Sequence, residues 1–225
     1  MNKAIKRCLL ICGSPKGNRG ASWMLGNFIM DQMEKNGVET HRRAIIPSYA
    51  NKDLMNDIEW AELVVLSFPL YADGLPAILL NELEVIYRAK PSAKYFSVIC
   101  NSGFAESHQN KVALDICHSF AIQTGWKWLG GIGRGAGGFF GNKKIDAAGR
   151  MVKPVISALT DASELLASGK EISQEVIARA EAPLMSNTFY SFMGTIGMLL
   201  MIIKNKQIFR YKARPYDKLP NPGFE

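Results

Sequence analysis

Apolar residues in the first two thirds of the chain gather in short, unbroken runs, separated by longer segments of helical period. Three runs stand out: RCLLIC at residues 7–12, LVVLSF at 63–68 and YFSVIC at 95–100. A run with no polar alternation has no solvent face, which fits a strand covered on both sides in a parallel sheet. Residues 38–45 alternate more and carry Arg42 and Arg43, so an edge strand is expected there. A fifth strand is expected at 126–132, and helical patterns fill 21–36, 78–88, 109–124 and 145–167. Such alternation of strand and helix predicts a βαβ sheet with helices on both faces.

Beyond Ser168 the pattern changes. A polar helix is expected at 172–182, before Pro183, and a strongly apolar one at 187–205; the end, RPYDKLPNPGFE, is punctuated by prolines. We expect residues 1–168 to form one α/β domain and 169–225 a helical extension packed on the same domain. The apolar stretch 192–203 is interrupted by Gly194, Thr195 and Gly197. It falls short of the roughly 20 apolar residues of a membrane span. Burial against protein is expected for it ahead of membrane-surface contact, although Lys204, Lys206, Arg210 and Lys212 beside it suit anionic headgroups.

Composition narrows the classes further. Of 225 residues, 48% are hydrophobic, ample for a large core and inconsistent with disorder. Basic residues ahead of the apolar run 8–12 superficially suggest a signal peptide. The run is too short, however, and Gly-Ser-Pro follows in place of a cleavage site, so a first strand and a cytoplasmic protein are expected. Much of the formal charge of +7 lies between Lys204 and Lys218. No zinc-finger or RNA-binding aromatic motif accompanies it, so a solvated basic face is expected and nucleic acid is not. Cys8, Cys12, Cys100 and Cys117 form no C-x-x-C pair, and three histidines complete no zinc spacing, which points to reduced core thiols and no metal.

In an open α/β sheet, ligands bind beyond the carboxyl ends of the strands. After the first strand comes GSPKGNRGAS (13–22), opening directly into a helix. Free backbone N–H groups, the positive helix end and short hydroxyls all suit a phosphate, and Lys16 or Arg19 can neutralise its charge. The loop matches neither G-x-x-x-x-G-K-[ST] nor G-x-G-x-x-G, which argues against ATP or a dinucleotide. A true G-x-G-x-x-G occurs at Gly133, Gly135 and Gly138, but after the last expected strand and without the acidic residue of a dinucleotide site. A flexible loop over the sheet top is expected there. The third and fourth strands end in PLYADGLP (69–76) and NSGFAE (101–106), each with one aromatic beside exposed backbone. A flat amphipathic ring fits between two such loops. With the phosphate loop alongside, they describe a mononucleotide carrying a planar ring.

GSPKGNRGAS, SFPLYADGLP and NSGF, each closing a strand and in this order, resemble the flavodoxin-like NAD(P)H-dependent FMN reductases, over roughly residues 5–165. The resemblance implies an α/β, flavodoxin-like doubly wound sheet of five parallel strands. It implies FMN, with its phosphate held by Ser14, Lys16, Asn18 and Ser22 in a loop that includes Ala21. The ring is then expected against Pro69, Leu70 and Tyr71 on one side and Asn101, Ser102, Gly103 and Phe104 on the other. It also implies a homodimer, and hydride transfer from NAD(P)H to the flavin and on to a small-molecule acceptor: a quinone, a nitro or azo compound, or free flavin. Related iron–sulfur flavoproteins carry a compact cysteine cluster that this chain lacks. No catalytic side chain is nominated, because hydride transfer needs no protein acid or base. The alternatives are a flavodoxin-type electron carrier, a class that tends to be acidic where this chain is basic, and a flavin-bearing interaction or membrane-peripheral protein.

Overall fold

The structure is a computed structural model that describes residues 4–45, 53–92, 94–140 and 150–206. Five strands form one sheet: β1 (Arg7–Cys12), β2 (Glu39–Ala44), β3 (Leu63–Pro69), β4 (Tyr95–Asn101) and β5 (Lys127–Arg134). Their order is β2-β1-β3-β4-β5 and every pairing is parallel. The expected doubly wound sheet is therefore found, with β2 at an edge.

Alternate residues of the apolar runs feed two separate cores. Cys8 and Leu10 of β1 join α1 (Ala21–Lys35), α5 (Lys153–Ala167) and α6 (Gln174–Glu181) on one face. Leu9 and Ile11 join α2 (Leu54–Trp60), α3 (Ala77–Ala89) and α4 (Lys111–Thr124) on the other. Complete burial of residues 8–12 explains why their sequence shows no polar alternation. All four cysteines are buried and free, and burial pushes their thiols up, Cys12 to about 11, so they behave as small apolar side chains.

Three details differ from the expected pattern. The short α2 has no counterpart in the sequence reading, since seven residues give too few turns for a periodic stripe. Strand β5 continues to Arg134, taking Gly133 of the glycine motif into the sheet. The helix expected at 145–167 is described from Lys153, with Pro154 in its first turn, where a missing N–H costs nothing; residues 145–149 lie outside the described residues.

The chain divides into two compact units, Met1–Leu184 and Met185–Glu225. Within the first, residues 172–182 cover the open edge of β5. Ile172 N donates to Leu129 O at 2.8 Å, and Gly133 N donates to the Glu181 carboxylate at 2.7 Å. An edge strand left bare would present such groups to other chains. The second unit holds α7 (Asn187–Lys204), whose N-cap Ser186 accepts from Phe189 N. No helix among the described residues is long and apolar enough to cross a membrane.

On the β2 side, buried Asp57 accepts hydrogen bonds from Arg43 and His41, and the His41 ring stacks on Trp60 at 3.8 Å. Burial alone would raise the Asp57 pKa, but the two donors outweigh it and hold the carboxyl below its usual 3.8. The folded pKa is thus lower than the unfolded one. The pairing stabilises the fold above about pH 3.8 and is lost as pH falls through the folded value. Urea titrations should therefore show Asp57→Asn less stable than wild type at neutral pH, with the gap closing in strong acid. A gap independent of pH would refute the pairing.

Candidate cofactor-binding site

The sheet order reverses between β1 and β3, so their carboxyl ends part and leave a crevice. A cleft of about 360 Å³ lies there, built from the loops after β1, β3, β4 and β5. The phosphate-loop expectation places Ser14, Lys16, Ala21 and Ser22 at this cleft, and all four line it, joined by Arg19 and Gly20. Pro69, Leu70, Tyr71, Asn101, Ser102 and Gly103 line it as well. Asn18 and Phe104 are exposed and are not among its lining residues.

Helix α1 begins at the cleft, and no side chain caps it. Its cap position is Gly20 at φ 104°, a backbone conformation that residues with a Cβ rarely adopt. Ser22 does not fold back on its own helix start. Its hydroxyl instead donates to Asn101 Oδ1 at 2.6 Å, while Ser67 Oγ donates to the Ser22 carbonyl at 2.7 Å. The first-turn N–H groups, which have no intrahelical partner, therefore face an anion-suited opening with Lys16 and Arg19 beside it. Ser14 is buried, and its Oγ accepts from Lys16 N at 3.3 Å.

The two ring-side loops are held differently. Tyr71 and Gly74 exchange backbone hydrogen bonds at 3.0 Å, closing a tight turn with Ala72 and Asp73 both at positive φ. Two such central residues are the requirement of the type I′ turn. Tyr71 stands 45% exposed at the mouth. Behind the β4 loop, Asn110 is fully buried and donates from Nδ2 to Ser102 Oγ at 3.3 Å and to Ser107 O at 3.0 Å.

The glycine motif departs from the sequence reading. It is no loose cover over the sheet: Gly133 and Arg134 complete β5, residues Gly137–Phe140 form a 3₁₀ turn, and Gly137 and Gly138 line the cleft. Ser102 N donates to Arg134 O at 2.9 Å and Gly137 N to Ser102 O at 2.8 Å, binding this segment to the β4 loop. A Cβ on Gly137 would lie 2.8 Å from Asn101 Nδ2 and 2.9 Å from Ser102 O. On Gly135 it would meet the Ala105 carbonyl oxygen at 2.4 Å. Gly135 and Gly137 lack a side chain where the chain packs directly on the segment Asn101–Glu106.

Arg134 is also new. Its side chain is 1% exposed, and Nη1 donates to Ala180 O at 2.8 Å and Ala182 O at 2.7 Å, tying the end of α6 to the end of β5. Its guanidinium lies 5.8 Å from the Phe140 ring centroid. Burial pushes its pKa down to about 10, opposed by the nearby Glu181 charge. A lone arginine among glycines carries no sequence signal for this role, since its partners are carbonyls about fifty positions away.

No protein-family model and no curated protein matches the chain by sequence. Solved structures do match. A flavodoxin of Streptococcus pneumonia TIGR4 is 15% identical with a TM-score of 0.53, over 72% of this chain and 98% of that one. A putative quinone reductase of Klebsiella pneumoniae gives 14% and 0.55, over 72% and 85%. An FMN-dependent NADH-azoreductase of Bacillus anthracis, in complex with FMN, gives 13% and 0.53, over 72% and 99%.

The fold is flavodoxin-like. The flavodoxin-like sheet explains why four loops distant in sequence share one crevice: parallel strands send every carboxyl end, and the loop after it, to the same side.

Proposed function

We propose that this chain binds FMN in the cleft and is an NAD(P)H-dependent flavin oxidoreductase. The observation that carries this reading is the combination, in one cleft, of an uncapped helix start flanked by Lys16 and Arg19 with the loops that end β3 and β4. The residues suit the cofactor. Ser14, Lys16 and the first N–H groups of α1, that of Ser22 among them, hold the phosphate, and Pro69, Leu70 and Tyr71 cover one face of the ring. Backbone of 101–103 borders the cleft, and Gly137 lets the segment after β5 pack directly on Asn101 and Ser102. When bound, FMN supplies hydride acceptance and electron delivery, and the protein supplies position and electrostatics. The donor is NADH or NADPH, and the acceptor is a quinone, a nitro or azo compound, or free flavin. Neighbours whose names state quinone reductase and azoreductase support this choice. The motif resemblance extends the reading to a cytoplasmic homodimer.

A flavodoxin is also among the neighbours, so an electron carrier without turnover is the competing reading. The formal charge of +7 favours the reductase, because an acidic surface is what docks a carrier on basic partners. Anaerobic addition of NADPH or NADH to the FMN-loaded protein should bleach the flavin, and a quinone should then sustain turnover. Bleaching that needs a separate reductase would assign the carrier role, and failure to bind FMN would remove both.

Because Tyr71 is half exposed and borders the cleft, Tyr71→Ala should change the flavin absorbance envelope and the NAD(P)H oxidation rate far more than the melting temperature. An unaltered spectrum with a large fall in melting temperature would make Tyr71 a packing residue.

A further inference from the structure

Helix α7 has a pattern that the cofactor site does not use. At 3.6 residues per turn, Phe189, Phe192, Ile196, Leu199, Leu200 and Ile203 share one side, and Asn187, Thr188, Ser191 and Thr195 the other. In the last two turns the polar side ends: Met198, Met201 and Ile202 carry apolar surface around the rest of the circumference. None of the helix's residues is buried, and Leu200, Met201 and Ile203 are each more than half exposed. Lys204 and Lys206 follow directly, and the sequence beyond adds Arg210, Lys212, Arg214 and Lys218 against Asp217 and the terminal Glu225.

We propose that α7 is a membrane-surface anchor that seats its apolar side and last two turns in a bilayer carrying anionic headgroups. The hydropathy of the segment alone favours burial against protein, but two features of the helix favour lipid. A single helix paired with α7 covers one stripe of it, and the first three turns offer such a stripe. A second copy paired along it would leave Met198, Met201 and Ile202 in water. Acyl chains close around an apolar helix end from every side, and the uncharged polar residues of the earlier turns then face headgroups. Charge decides the lipid class. The cations follow the apolar end at once, where they meet the negative surface of anionic lipid. The helix is too short and too interrupted to span, so the contact is a reversible one with one leaflet.

Flotation of the full-length protein with phosphatidylcholine vesicles, with and without phosphatidylglycerol, tests this. The protein should float with the anionic vesicles and lose binding as salt is raised. Lys204→Gln with Lys206→Gln should weaken anionic binding on the order of 30-fold, at about fivefold per cation. Leu200→Ser with Ile203→Ser should abolish flotation on either vesicle while FMN affinity stays unchanged. Absence of flotation by monodisperse wild type, or flotation indifferent to both pairs of substitutions, would overturn the proposal. A non-floating wild-type dimer that Leu200→Ser with Ile203→Ser dissociates would give the helix to a second copy instead. Neither result bears on FMN binding, so this proposal fails separately from the oxidoreductase reading.

Discussion

Replacing Ser14 and Lys16 together by alanine is expected to weaken FMN binding by about 100-fold or more while leaving riboflavin affinity nearly unchanged. Both residues line the cleft beside the start of α1, where the phosphate is proposed to sit, and the Ser14 hydroxyl accepts from the Lys16 amide. Hydrogen bonds to a charged group contribute about 1.5–3 kcal/mol each, so two together exceed two powers of ten. Riboflavin lacks the phosphate and should not register their loss. The first-turn N–H groups of α1 remain in the variant, which keeps residual FMN binding measurable. Fluorescence titration of the two flavins side by side reads the difference. Equal losses for both would move the phosphate elsewhere.

Gly135→Ala is expected to destabilise the protein by about 1–3 kcal/mol and to lower its flavin occupancy, although Gly135 adopts no positive φ. Space is the reason. The new Cβ would lie 2.4 Å from the Ala105 carbonyl oxygen, and backbone cannot swing aside as a flexible side chain does. Either the β4 loop or the end of β5 must move. Gly135 N donates to Ser107 Oγ at 3.1 Å, and Ala136 N to Phe104 O at 2.5 Å, so a shift disturbs both bonds and the loop carrying Ser102 and Gly103. Gly138→Ala is the control, because nothing lies within 4 Å of its Cβ position. Wild-type stability in Gly135→Ala, measured by denaturant unfolding, would show that the close approach relaxes at no cost.

Several elements are legible in the sequence itself. The strands at 7–12, 63–68 and 95–100 were readable because residues buried on both faces leave runs of apolar letters with no alternation. Arg42 and Arg43 marked β2 as an edge because only an edge strand gives such side chains access to water. The loop at 13–22 is readable for a local reason: a strand, a glycine-bearing turn and a helix start are contiguous in sequence. The same holds for Pro69–Tyr71 and Asn101–Gly103, which end strands and so reach the ligand side of any parallel sheet.

What the sequence determined by itself was therefore everything set by neighbours along the chain: the burial pattern of each strand, the order of elements, and the loops that strand ends carry to one side. What only the tertiary structure decided depends on residues brought together from afar. Asn110 behind Ser102 and Arg134 on the carbonyls of Ala180 and Ala182 are pairings whose partners share no local pattern. The glycines at 133–138 read as looseness in one dimension, because absence of a side chain says nothing about what fills the space. In three dimensions the end of β4 and the loop after it fill the space at Gly135 and Gly137. Glycine there permits contact, and contact is a property of two segments that no single stretch of sequence contains.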